Sequence, residues 1–346
     1  MLGYQLSPHG SGYRPIFRRM QPIPLPASPD ESHDQAQQLA WRVLLAAAEW
    51  GRAWGDGTTT EAAFGADASG GLIPVHGDGR AAWLQWRPSF GWAIGPAAPA
   101  AANALFDLYL PICAASGQRP LTVGHLGQSL DGYIATGSGD SYYVTGPANV
   151  RHLHRMRALC DAVVVGAETV ARDDPKLTVR RAEGRNPVRV ILDPSRRLGA
   201  ERRVFSDSAA PTIVVCDQAA TRASDLPGSV EILAIPSPSG RLGLELLLRA
   251  LHVRGMYCVF VEGGGATVSS FLEAGLLDRL HVAIAPLFTG SGRPGIQLPA
   301  RAKIGDCLRP AHRIFAMGGD VLFDCDLRAR AETSADRSSG DVSRAF

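Results

Sequence analysis

The sequence predicts an α/β protein: a mainly parallel sheet with helices on both faces, closed by an antiparallel C-terminal hairpin and preceded by a small α+β region. Three observations carry this. From Leu121 onward, short continuous apolar runs alternate with helical stretches, the texture of a parallel sheet buried on both faces. The runs are rich in β-branched residues, and several end in glycine. The stretch RIFAMGGDVLFDCDL places Gly-Gly-Asp between two apolar halves, as a hairpin does.

In chain order, residues 1–33 hold six prolines and little periodicity, and are expected to form an extended or disordered lead. Residues 34–118 are expected to form the α+β region. It holds a helix over Gln38–Arg52, strands at Leu72–Val75 and Ala82–Trp86, and a second helix over Ala98–Leu110. Its tryptophans are expected in its core. The α/β domain follows over 119–327. Its strands are LTVGHL, AVVVGA, VRVILD, TIVVCD, CVFVEGG and LHVAIAP. Its helices are Gly146–Cys160 with Pro147 in the first turn, Leu242–His252, and Ala266–Ala274. The polar, serine-rich residues 328–346 are expected to form a disordered tail.

Thirty-five Lys and Arg against 33 Asp and Glu give a formal charge of +2, which argues against a nucleic-acid binder or a polybasic membrane anchor. The most apolar stretch, Trp92–Ala115, contains three prolines and Asp107, so no membrane span is expected. The six cysteines lie far apart with no C-x-x-C, which supports neither a disulfide framework nor a metal site. With no signal-like N-terminus, a cytoplasmic location is expected.

Ligands of open α/β sheets bind at the carboxyl ends of strands. Strand CVFVE ends in Gly263-Gly264-Gly265 before a helix, where backbone amides can meet a phosphate. Strand AVVVG also ends in glycine, ahead of Glu168-Thr169-Val170, and two such ends suit a dinucleotide. On a helical wheel started at Val150, Leu153, Met156 and Cys160 define an apolar stripe, and Arg157 falls inside it at about −20°. A core-facing arginine needs an anion, either a ligand or a structural carboxylate. Arg151, His152 and Arg155 point away from the stripe and are expected in solvent. Arg157 with Arg180 forms a candidate bidentate clamp for a phosphate monoester, and Ser141 can add a hydroxyl.

Together these residues resemble the reductase domain of riboflavin biosynthesis, which has the dihydrofolate-reductase-like fold. The stretches that carry the resemblance are GQSLDGYIATGSGDSYYVTG, HRMRALCDAVVVGAETVARDDPKLTVR, PVRVILD, FVEGGGATVSSFLEAGLLDRL and IAPLFTG, in the family's order. The resemblance implies NADPH-dependent reduction of the ribosyl group of 5-amino-6-(5-phosphoribosylamino)uracil to the ribitylamino form. It implies substrate contacts at Ser141, Arg157, Leu177, Arg180 and Glu262. The cofactor site it implies is formed by Gly127, Tyr143, Thr169, Asp173, Gly264, Gly265, Ala266, Thr267, Val268, Ser269 and Ser270. Glu262 and His125 are the candidate catalytic groups, and a homodimer is expected.

Two departures stand out. The family commonly has lysine where His125 stands, so His125 either serves the same role with a pH dependence or marks different handling of the substrate. Many relatives also carry a deaminase with H-x-E and P-C-x-x-C zinc motifs, and neither motif occurs here. The pathway would then need a separate deaminase. The alternative is a same-fold reductase acting on another pterin or pyrimidine-like heterocycle. Arg196-Arg197 are candidates for the cofactor's 2′-phosphate.

Overall fold

The computed structural model describes residues 31–330, except residues 55, 58–59, 78, 142–143, 221–225 and 238–240. The described residues open with helix α1 (Glu31–Trp54), so residues 31–33 of the expected lead are helical and the rest of it lies outside the described residues. Four short strands follow: β1 (Ala62–Ala66), β2 (Leu72–Pro74), β3 (Leu84–Arg87) and β4 (Gly91–Ile94). They pair antiparallel in the order β2-β1-β3-β4. Helix α2 (Asn103–Cys113) completes the region.

Helix α1 forms because Ala40, Val43, Leu44 and Ala47 recur on one face, and all four are fully buried. Its last turns place Trp50 against Phe64, Trp86 and Trp92, with ring centroids 5.0–5.3 Å apart and edges on faces. Trp41, Trp86 and Trp92 are buried and Trp50 and Trp83 partly so, as expected, but Trp54 at the end of α1 is 63% exposed. Strands β1 and β4 went unpredicted. Gly65 interrupts one and Gly91 opens the other, so neither reads as a β run.

The main sheet has nine strands. In chain order they are β5 (Leu121–Ser129), β7 (Ala162–Gly166), β8 (Val188–Leu192), β9 (Thr212–Asp217), β10 (Val230–Ile235), β11 (Cys258–Glu262), β12 (Arg279–Ala285), β14 (Pro310–Met317) and β15 (Asp320–Arg330). Their spatial order is β10-β9-β8-β7-β11-β5-β12-β15-β14. Every pairing from β10 to β12 is parallel, and the hairpin of β15 and β14 adds the antiparallel edge. A separate ribbon joins β6 (Tyr133–Thr136) to β13 (Gly292–Pro294). The helices of this part are α3 (Pro147–Leu159), α4 (Ala167–Asp173), α5 (Arg203–Ser206), α6 (Leu244–Val253) and α7 (Gly265–Glu273).

Strand β10 also escaped prediction, because VEILAI is an edge strand, half exposed along most of its length. The hairpin overruns its expected end: Arg328–Arg330 belong to β15, where backbone pairing outweighs their polarity. Residues 331–346 lie outside the described residues.

The order of the strands locates the site. From β5 the chain passes over one strand position to β7 and runs outward to β10. It then returns to fill the gap with β11 and crosses β5 to reach β12. The crevice where direction reverses lies at the carboxyl ends of β5, β7 and β11. No described helix is long and apolar enough to cross a membrane.

The N-terminal region shares the main core. Leu44, Phe106 and Tyr109 belong to one continuous apolar cluster with Met156, Leu159 and Phe260. Helix α3 is therefore covered on a second side. That is why His152, expected in solvent, is 1% exposed. Arg155 is likewise drawn onto the face of Trp41, at 5.2 Å. Arg151 alone of the three is exposed, as expected.

Candidate active site

At the end of β11, the Glu262 carboxylate meets the guanidinium of Arg157 from α3. Arg157 Nε donates to Glu262 Oε2 at 2.7 Å, and Nη2 donates to Oε1. Arg157 Nη1 donates to the Thr178 carbonyl at 3.0 Å. The arginine is 7% exposed, so this planar fork is a nearly buried ion pair. The wheel argument that Arg157 faces inward and needs an anion holds. The anion it meets in the structure is Glu262.

Arg180 approaches the same point. Its Nη1 donates to Thr178 Oγ1 at 2.6 Å and lies 3.4 Å from the Thr178 carbonyl. Both arginines thus converge on Thr178, a residue the sequence reading passed over. Burial and the nearby Arg157 charge lower the pKa of Arg180 from its ordinary value. The Arg180 amide donates to His154 Nδ1 at 3.0 Å. The loop carrying these residues is strained: Asp174 and Leu177 have φ of 39° and 54°, and Leu177 is buried. A bulky residue in the left-handed region costs of order 1–3 kcal/mol and is held there only by its surroundings.

His125, on β5, stands in register with Glu262 on one side and His281 on the other. It is buried, and its Nε2–H donates to Asn149 Oδ1 at 3.0 Å; Asn149 Nδ2 in turn donates to Thr145 Oγ1 at 3.0 Å. Burial first, then His281, push the His125 pKa down to about 3. The ring is neutral at physiological pH. A buried neutral ring does not carry the charge of the lysine that the family commonly has at this position.

Beside His125 runs a polar chain that the sequence did not reveal. Tyr109 from α2 donates to His152 Nδ1 at 2.7 Å. His152 Nε2–H donates to His281 Nδ1 at 3.1 Å, and His281 Nε2 lies 3.3 Å from Asp324 Oδ1. Burial raises the Tyr109 pKa to about 12 and holds that of His152 far below its usual value, so both stay neutral. Burial alone would raise the Asp324 pKa, but His281 and Arg279 hold it well below the usual carboxylate range. The available signal was faint: a histidine at an inward position of the strand LHVAIA, and two histidines within one helix.

The glycine-rich end of β11 forms a cradle. Helix α7 starts at Gly264 with no side-chain cap, and the first amides with helical acceptors are those of Thr267 and Val268. The amides of Gly265 and Ala266, in the first turn, have no intrahelical acceptor at this electropositive helix end. Gly264 N donates to Thr169 Oγ1 at 3.1 Å, tying α4 to this turn. A Cβ at Gly265 would lie 2.1 Å from the Gly295 carbonyl oxygen, so only glycine fits. Thr267 packs against Gly166 and Gly263, and Val268 is buried. The Ser269 hydroxyl accepts from Gln297 N at 2.8 Å, and Ser270 donates back to Ala266 O.

Next to this cradle is a cavity of about 710 Å³, bordered by Gly166, Leu192, Ala266, Thr267, Ser270 and Arg241. An uncapped helix start beside a largely apolar hollow fits the pyrophosphate and adenosine of a dinucleotide. Among the other expected cofactor residues, Asp173 has a pKa raised by burial and opposed by Arg293 and Arg172. Gly127 lies on β5, where a Cβ would strike the Thr145 side chain at 2.8 Å. Ser141 is exposed, and Tyr143 lies outside the described residues. Arg197 is paired with Glu168 at 2.7 Å, while Arg196 is buried. Asp131 of the SLDG stretch is a pin: its carboxylate accepts from Ser129, Thr289 N and Gly290 N.

Fold and site define an α/β enzyme with a dinucleotide-sized cleft beside a carboxylate–guanidinium pair. Residues 122–309 match the family model of the RibD C-terminal domain. The 2,5-diamino-6-ribosylamino-4(3H)-pyrimidinone 5′-phosphate reductase of Methanothermobacter thermautotrophicus is 35% identical over 214 residues, 60% of this chain and 97% of that protein. The riboflavin biosynthesis protein RibD of Escherichia coli is 33% identical over 195 residues, 52% of each chain. A solved structure of Acinetobacter baumannii RibD superposes with a TM-score of 0.53 at 27% identity, over 65% of this chain and 62% of that one. The chain belongs to the RibD C-terminal domain family and is an oxidoreductase of that pyrimidine-reductase type. It spans about half the length of the bacterial RibD relatives it matches. The family implies a nicotinamide cofactor.

Proposed function

We propose that this enzyme uses NADPH to reduce the ribosyl group of a ribosylaminopyrimidine 5′-phosphate to the ribitylamino form, in riboflavin biosynthesis. The observation that carries the reading is the meeting of Arg157, Glu262 and Arg180 at the carboxyl end of β11, next to the uncapped start of α7. When bound at the Gly264–Ser270 turn, the cofactor would supply the hydride for C1′ of the ring-opened sugar, the accompanying proton coming from solvent. Glu262, fixed by two Arg157 donors, offers its remaining lone pairs to the substrate's amine and hydroxyl groups. Arg180 is held through Nη1 and keeps its other donors for the phosphate. His125 acts as a neutral, rigid wall beside Glu262. Chemistry in such a site is mainly the positioning of two carbons in a sheltered cleft.

Preference for NADPH is assigned to Arg241, at the rim of the 710 Å³ cavity and 83% exposed. We further infer a cytoplasmic homodimer, and a deaminase supplied by another protein. The nucleobase has two candidate forms. The Methanothermobacter relative, matched over nearly its full length, is named for the diaminopyrimidinone, which favours a substrate that still carries its 2-amino group over the expected uracil. Introducing the gene into a riboflavin auxotroph that lacks only the reductase tests the assignment. Growth without riboflavin is expected, and continued auxotrophy with soluble protein present overturns it.

A further inference from the structure

Helix α3 buries two polar side chains on one face, His154 and, three positions on, Arg157. Arg157 is spoken for by Glu262 and the Thr178 carbonyl. His154 is 3% exposed, and its Nδ1 accepts the backbone N–H of Arg180 at 3.0 Å. Arg180 itself is exposed. A buried imidazole thus holds the main chain of an arginine that stands at the surface of the site.

The stretch that carries Arg180, between α4 and β8, has neither helix nor strand. Its peptide groups therefore have no ladder, and side chains hold them instead. Val179 N donates to Asn186 Oδ1 at 2.7 Å, and the Thr178 carbonyl accepts from Arg157 Nη1 at 3.0 Å. Leu177, with φ of 54°, would not keep this path without such ties. His154 is the tie made to Arg180.

The kind of acceptor matters. Burial first, then the charges of Arg157, Arg180 and Arg181, push the His154 pKa down to about 4. The ring is neutral at physiological pH, and Nδ1 keeps the lone pair that the amide needs. A carboxylate in its place would accept the same amide but would also capture the nearby guanidinium. A neutral acceptor fixes the Arg180 backbone and leaves the Arg180 charge for an incoming anion.

We propose that His154 is a positioning residue for the reductase reaction: it sets the Arg180 backbone so that the guanidinium meets the substrate's 5′-phosphate. This rests on the reading of Arg180 as the phosphate contact.

The test compares three variants of the full-length protein. His154→Leu has no acceptor, and His154→Gln carries its amide where Nε2 stood. His154→Asn places an amide oxygen near the position of Nδ1. The Leu and Gln variants should each raise the KM for the ribosylaminopyrimidine 5′-phosphate about tenfold, the level of one charge-assisted contact misplaced, with kcat within about twofold. The Asn variant should recover most of the loss. On the corresponding nucleoside, which lacks the phosphate, kcat/KM should be the same in all of them, an outcome that general loosening of the site would not give. Unfolding midpoints identify any variant that fails to fold, and the other of the Leu and Gln pair then carries the comparison. An unchanged KM for the phosphate ester overturns the proposal, and so does an equal loss on the nucleoside. No turnover by the wild type overturns the functional reading instead. Calorimetric binding of ribose 5-phosphate then decides this inference: weaker binding without the acceptor, recovered by Asn, supports it. Equal binding by all, or none by the wild type, overturns it.

Discussion

His125 shows how a single side chain sets a measurable property. Its folded pKa is about 3, against about 6.5 for a free histidine. Between those values the unfolded chain binds a proton that the folded chain refuses, so stability rises with pH through this window and falls as pH drops below about 6.5. From pH 7 to pH 5 the site costs the protein about 2 kcal/mol. Urea unfolding of His125→Phe should show that much less loss between the two pH values, and an unchanged pH dependence would contradict the burial argument. His152 shifts the same way and keeps part of the slope in the variant.

Helix α3 shows both what the sequence reveals and where it stops. Its wheel places Arg157 inward because Leu153, Met156 and Cys160 mark one covered face. The same wheel sends His152 to solvent, because nothing local says that α2 and Tyr109 will cover a second face. Arg157's partner was undecidable for the same reason: Glu262 lies 105 residues away on another strand. The Gly263–Gly265 turn was legible, since a strand, a glycine run and a helix in succession leave few geometries. Element α7 carries two predictions. Gly265→Ala would drive a methyl group into the Gly295 carbonyl, so NADPH affinity, read by nicotinamide fluorescence, should fall at least about tenfold, at the level of one lost charge-assisted contact. Beside the same helix, Arg241→Ala should raise the KM for NADPH about tenfold and leave that for NADH unchanged. An equal effect on both cofactors would contradict a 2′-phosphate contact.

The molecule as a whole is more unified than its composition implies. The sequence changes texture near Leu121, yet the apolar cluster runs through both parts. Removing residues 1–118 would strip Leu44, Phe106 and Tyr109 from α3 and uncover the histidine chain. The remaining chain should melt well below the intact protein, by at least about 10 °C, since several large core side chains lose their cover. Equal melting temperatures would show that the N-terminal region is an addition rather than part of the core. Activity decides the central assignment. Purified enzyme should oxidise NADPH only when a ribosylaminopyrimidine 5′-phosphate is supplied, with the 2-amino and 2-oxo nucleobases compared side by side. Its Glu262→Gln variant should be slower by on the order of 100-fold at unchanged fold. Ribitylaminopyrimidine formed in step with NADPH loss is the predicted result. No substrate-dependent oxidation with either nucleobase, by a folded enzyme that binds NADPH, would contradict it.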